Sequence, residues 1–147
     1  MFKRILVPVD GSELSDRAID ASLELARPLG ATVVAFVAEP MVQLAAVARP
    51  TAIIARETEA HDRRTEAHAR EVLARFERRA QAAGVAFEGH FEQTPLVDQA
   101  IVETAQARRC DLIVMVTHGR GAFGEFLFGS HTKAVLARST LPLLVLH

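Results

Sequence analysis

The sequence predicts a single α/β domain, residues 1–147, built on a doubly wound, five-stranded, mostly parallel sheet with helices on both faces. Three observations carry that prediction. Five short apolar runs rich in β-branched residues alternate with helical patterns, in the order β-α-β-α-β-α-β-α-β. Four of the runs are nearly continuously apolar, as strands buried on both faces are. The length of 147 residues matches one hydrophobic core.

The first strand is predicted at Ile5–Val9. Ser12 then supplies an N-cap for a helix that ends before Gly30, with Leu14, Ala18, Ala21 and Leu25 facing inward. The second strand covers Thr32–Ala38. A second helix runs from about Ile54 to Ala83, with Val72, Leu73, Phe76 and Ala80 at helical spacing and Gly84 closing it. The third strand, Ala86–Glu92, alternates Phe87, Gly89 and Phe91 against Glu88, His90 and Glu92, the pattern of an edge strand with one wet face. A third helix spans about Leu96–Ala107, with Val97, Ala100, Ile101 and Ala105 inward. Leu112–Val116 is the fourth strand and Ser130–Ala137 the fourth helix; Pro142 blocks further helix before the fifth strand, Leu143–Leu146.

Half of the residues are apolar, 24% are charged and the net charge is −1. That composition belongs to a globular chain. It gives no overall attraction to nucleic acid or to an anionic membrane, so neither is an expected partner. The apolar stretch from Ala31 to Ala55 is interrupted by Glu39, Pro40, Gln43, Arg49 and Pro50 and does not read as a membrane span. The single cysteine, Cys110, allows neither an intramolecular disulfide nor a thiolate zinc site. With no export signal in the sequence, a cytoplasmic location is expected. Arg56–Arg79 is dense in charges of both signs and reads as a solvated helix face. From Pro40 to about Arg64 helical periodicity is sparse, and this stretch is expected to be the most mobile of the chain.

In an open parallel sheet, ligands bind beyond the carboxyl ends of the strands where the strand order reverses. The candidate loops are therefore Asp10-Gly11-Ser12 and the segment that begins Val116-Thr117-His118-Gly119-Arg120-Gly121. Gly119 to Gly124 spells G-x-G-x-x-G, but it lies in the last βαβ unit. The region twenty positions on offers Ser139, Thr140 and Leu141 rather than the acidic residue a dinucleotide needs. Glu125-Phe126 likewise stands where a phosphate-binding P-loop requires Lys followed by Ser or Thr. Gly129-Ser130, at a helix start, offers free N–H groups suited to an anion.

No nucleophile–base–orienter set stands out, so no catalytic residue is expected and the chain reads as a non-enzyme, with weak ATP hydrolysis the only reaction left open. His61 and His68 are seven apart on one helix and read as an exposed pair, and no structural metal is expected. His118 and His131 flank the glycine loop, in reach of a phosphate or of solvent; solvation is the expectation. Cys110 reads as buried rather than nucleophilic.

Several segments, in order, resemble the universal stress protein family of the UspA type over essentially the whole chain. They are Ile5-Leu6-Val7-Pro8-Val9-Asp10-Gly11-Ser12, Asp111-Leu112-Ile113-Val114-Met115, His118-Gly119-Arg120-Gly121 through Leu127-Phe128-Gly129-Ser130, and Pro142-Leu143-Leu144-Val145. The resemblance implies strand order 3-2-1-4-5 and a stress-response protein that binds ATP or another adenine nucleotide. It implies that Pro8, Asp10 and Val37 line the adenosine end with Met115 beside them. Gly119, Gly129, Ser130, His131 and Thr132 are implied to hold the phosphates. Nucleotide-binding members carry G-x2-G-x9-G-[S/T]; here Gly119, Gly129 and Ser130 fit, while Val116 stands at the first glycine. An isopropyl group there is expected to weaken binding. The resemblance also implies a homodimer through strand 143–147. The alternative reading is a dimeric regulatory or interaction module of the same fold that binds no nucleotide.

Overall fold

A computed structural model of the chain describes residues 1–39, 41, 49–117 and 130–147. The elements follow the predicted alternation: β1 (Arg4–Pro8), α1 (Glu13–Leu29), β2 (Thr32–Glu39), α2 (Thr51–Ala83), β3 (Phe87–Gln93), α3 (Val97–Ala107), β4 (Leu112–Val116), α4 (Ser130–Arg138) and β5 (Leu143–Leu146). The strands form one sheet in the order β3-β2-β1-β4-β5, and every pairing is parallel. β1 and β2 are in register from Arg4↔Thr32 to Pro8↔Phe36.

Strand alternation divides the core into two layers. Ile5, Val7, Val33, Ala35 and Val37 face α1 and α2, where they meet Ile19, Leu23, Val72 and Phe76. Leu6, Val34, Phe36, Ile113 and Met115 face α3 and α4, where they meet Ile101, Ala105 and Val135. Nearly continuous apolar strands are the sequence consequence of being covered on both faces.

The face of α1 differs from the predicted one. Ala18 is buried as expected, but the buried side continues through Ser15, Ile19, Ser22, Leu23 and Ala26, leaving Leu14, Ala21 and Leu25 half-buried. Two serines inside that face disguised its phase. Each is satisfied locally: the Ser22 hydroxyl donates to the Ile19 carbonyl at 2.8 Å, and Ser15 is engaged by Asp10. α2 also begins earlier than predicted, at Thr51, because Pro50 stands where it can precede a helix and its carbonyl accepts the amides of Ile53 and Ile54. Its buried residues are Ala69, Val72, Phe76 and Ala80, so its first half rests on few core contacts. Part of the stretch expected to be mobile, residues 40 and 42–48, lies outside the described residues.

Candidate functional site

β1 and β4 are neighbours whose connections leave in opposite directions. At their carboxyl ends a cavity of about 340 Å³ opens, within the range typical of small-molecule sites. Its apolar walls include Pro8, Phe36, Val97, Ile101 and Met115; its polar groups include Asp10, Ser12, Ser15, Thr117, Ser130, His131 and Thr132.

The β1–α1 turn is built around Asp10. One carboxylate oxygen accepts the Ser12 amide at 2.9 Å and the Ser15 hydroxyl at 2.6 Å, while the Asp10 amide donates to the same hydroxyl at 2.8 Å. Burial pushes the Asp10 carboxyl up, but these bonds outweigh it and hold it below the usual carboxylate range. Ser12 caps α1, its hydroxyl accepting the Ser15 amide at 3.3 Å. Between them Gly11 takes φ +84, and a Cβ there would lie 2.9 Å from Val72 Cγ2 and 3.3 Å from His68 Nε2. Glycine is therefore required both for the backbone angle and for the close approach of α2. Arg75 Nη2 donates to the Gly11 carbonyl at 3.4 Å, and His68 Nδ1 lies 2.6 Å from Oε1 of the buried Glu39. α2 thus backs the turn whose front faces the cavity.

The opposite wall comes from α3 and the start of α4. Thr132 is buried, while His131 Nδ1 lies 2.5 Å from Asp98 Oδ1 on α3. Thr117, just past β4, is anchored by its amide, which donates to the Leu146 carbonyl at 2.8 Å.

The structure brings Pro8, Asp10, Met115, Val116, Ser130, His131 and Thr132 around one cavity. It does not bring the side chain of Val37 there: Val37 is buried in the layer under α1 and α2, and its neighbours Phe36 and Ala38 face the cavity instead. Gly119 and Gly129, with the rest of the segment 118–129, lie outside the described residues. Val116 ends β4 in extended backbone; among the described residues, the non-glycine position with positive φ is Arg109 (φ 54). Among the described residues no group of three or more His, Cys, Asp and Glu could hold a metal ion, and no helix is long and apolar enough to cross a membrane.

A family model described as "Universal stress protein family" matches residues 1–147. The chain belongs to that family. A universal stress protein of Thermus aquaticus is 31% identical over 154 residues, covering 99% of this chain and 98% of its own. A universal stress protein solved in complex with cAMP is 24% identical, with a TM-score of 0.71 over 99% of this chain and 97% of that one. One from Archaeoglobus fulgidus, solved in complex with dAMP, is 20% identical, with a TM-score of 0.60 over 99% and 98% of the two chains. These two structures carry the fold of the universal stress proteins.

Sequence reasoning missed Ser15, Asp98 and Glu39. The spacing Asp10, Ser12, Ser15 offered a signal for the first, since a carboxylate just before an N-cap can collect hydroxyls from the first turn. Nothing in the sequence joins Asp98 to His131, which is 33 positions away. His68 and His131 are exposed as read, and the structure adds a partner to each: His68 is bonded to Glu39, and His131, its side chain 60% exposed, to Asp98.

Proposed function

We propose that this universal stress protein is a cytoplasmic, non-enzymatic stress-response protein that binds an adenine nucleotide in the cavity between β1 and β4. The observation that carries the reading is the cavity's division of labour. Apolar side chains of Pro8, Phe36, Val97 and Met115 suit a base. The ionised Asp10 suits the hydroxyls of a ribose, and Ser130, His131 and Thr132 supply hydroxyl and N–H groups for phosphate. Solved relatives with cAMP and with dAMP support the ligand class. Val116 lines the same space in extended backbone and, in this reading, its isopropyl group lowers affinity. Calorimetric titration with ATP, AMP and adenosine tests it: saturable binding that is lost in Asp10→Ala supports the reading, and no heat with any of the three refutes it.

The homodimer is the second part of the proposal, and it stands without the first. β5 is a sheet edge of four apolar residues with Leu144 38% exposed, and Leu136 on α4 is 62% exposed. A bare apolar edge is an invitation to pair with its two-fold copy. Sedimentation should give a dimer for the natural chain and a monomer for Leu144→Lys; a well-folded natural monomer at micromolar concentration refutes it. A dimer that binds no nucleotide would leave the interaction module as the function.

A further inference from the structure

The sheet has two edges, and they are unlike. β5 is four apolar residues long; β3 is seven, Phe87-Glu88-Gly89-His90-Phe91-Glu92-Gln93, and among the described residues no strand lies beyond it. The ladder to β2 fixes which backbone groups of β3 are taken. The Val33 amide donates to the Ala86 carbonyl at 2.8 Å, and the Thr94 amide to the Glu39 carbonyl at 3.0 Å. In a parallel ladder a residue turns its N–H and C=O to one side, and that side alternates along the strand. Glu88, His90 and Glu92 therefore bond to β2, while Phe87, Gly89 and Phe91 turn their amides and carbonyls outward. Gly89, which is backbone alone, is exposed. Such a row is a template for a further strand.

The side chains along this edge sort by face. Toward α2, Phe87 and Phe91 are half-buried; between them Gly89 has no side chain, and Leu73 lies 3.4 Å from where a Cβ would stand. That leaves an apolar notch. On the opposite face Arg4 holds Glu88 at 2.7 Å, and Arg108 lies 3.1 Å from His90. Glu92, last on that face, is exposed, and among the described residues no cation pairs with it. A second copy of β3 would bring no lysine or arginine to meet it. We propose that the free edge of β3 is a docking site for an extended segment of a partner protein, added as a sixth strand, with an apolar residue over Leu73 and a lysine or arginine beside Glu92. Main-chain bonds supply the affinity of such an addition, and alternate side chains supply its specificity. Apolar contact and opposite charge across neighbouring strands are the pairings that favour it. The site stands whether or not the cavity holds a nucleotide.

The test titrates the full chain with a short peptide of alternating lysine and valine, capped at both ends, and reads amide hydrogen exchange residue by residue. In the free protein the amides of Glu88, His90 and Glu92 should be protected and those of Phe87, Gly89 and Phe91 should exchange fast. The peptide should slow the second set about tenfold or more and leave the first set as it was. Two further peptides keep the charge and change the backbone, one N-methylated at every lysine and one at every valine. Alternate amides of an added strand face its neighbour, so one version should lose binding and the other keep it. Glu92→Gln should weaken the unmodified peptide about threefold, the scale of one cross-strand charge pair. No slowing at Phe87, Gly89 and Phe91 up to millimolar peptide overturns the proposal, as does binding that survives in both methylated versions. Protection of those three amides in the protein alone, lost on dilution, means that a second copy takes the edge, and it too overturns the proposal.

Discussion

The two ends of the sheet handle polar side chains in opposite ways. At the amino ends of the strands they close on one another. Arg4 donates to Glu88 at 2.7 Å and to the Arg108 carbonyl at 2.7 Å, and both oxygens of Asp111 accept backbone amides, from Lys3 at 2.8 Å and Arg4 at 3.0 Å. The thiol of Cys110, buried beside this network, is pushed up to about 11 by that burial. At the carboxyl ends Asp10, Ser12, Ser15, Ser130, His131 and Thr132 close around a space. Each end has an aspartate that accepts a backbone amide, Asp111 from Arg4 and Asp10 from Ser12. One set ties β1 to β4 and the neighbouring loop, and the other leaves capacity for a ligand. Helix and strand polarity make the difference: the carboxyl ends of parallel strands lead into helix starts, where free N–H groups need acceptors.

The sharpest break of that contrast is Gly11→Ala. It strains a positive φ and drives a methyl group to 2.9 Å from Val72. The expected cost is about 3 kcal/mol in urea denaturation. Because the turn carries Asp10, the same variant should also weaken nucleotide binding. Lost stability with unchanged affinity would mean that the turn does not shape the site.

Asp111→Ala is the opposite case. It removes the acceptor for two amides that join β1 to the start of β4, and the expected loss is about 2 kcal/mol, with ligand affinity at the far end unchanged. Weaker binding in a variant still folded under the assay conditions would show that the two ends are coupled.

Val116→Gly sharpens the comparison on the ligand side. It clears an isopropyl group from the cavity wall and should tighten ATP about tenfold. It also trades a partly buried valine for glycine at the end of a strand, so a fall in stability of about 1 kcal/mol accompanies the gain. A tighter but less stable protein is the expected result; unchanged affinity would mean that the valine side chain stays with the core layer under α1, against which it packs, and not in the path of the ligand.

The fold was legible because its signals are local and redundant. β4 and β5 fall on their predicted residues, since a buried parallel strand is written as an uninterrupted apolar run. The phase of α1 was hidden by Ser15 and Ser22, polar residues that the backbone and Asp10 satisfy inside the core. Strand order came from family resemblance, because alternation fixes parallel pairing but not which strands are neighbours. At the site, Asp10 and the start of α4 were readable as turn and helix-start residues. The partners Glu39–His68 and Asp98–His131 were not, because tertiary packing alone brings residues 29 and 33 positions apart together.

The smallest expected effect belongs to His90 on β3. Its ring stacks on Phe36 with centroids 5.9 Å apart, and Nδ1 lies 3.1 Å from the Arg108 guanidinium, which can only donate. The folded protein therefore needs this imidazole neutral. Burial, with Arg108 adding to it, pushes the group below its ordinary value of 6.5, and Glu92 only partly opposes them. An unfolded chain takes up the proton near 6.5, whereas the folded one does so only at lower pH. Stability from this group is thus whole above that value and declines as pH falls below it. His90→Gln should be less stable than the natural chain at pH 7.5, having lost the stacked ring, but should lose less on going to pH 5.5. The carboxyls of Asp10 and Glu88, both held below their ordinary values, lose their contribution only in stronger acid, below that window. Urea midpoints at the two pH values measure the slope. Parallel slopes for the two proteins would show that His90 titrates alike folded and unfolded, and that Arg108 holds it by packing rather than by charge.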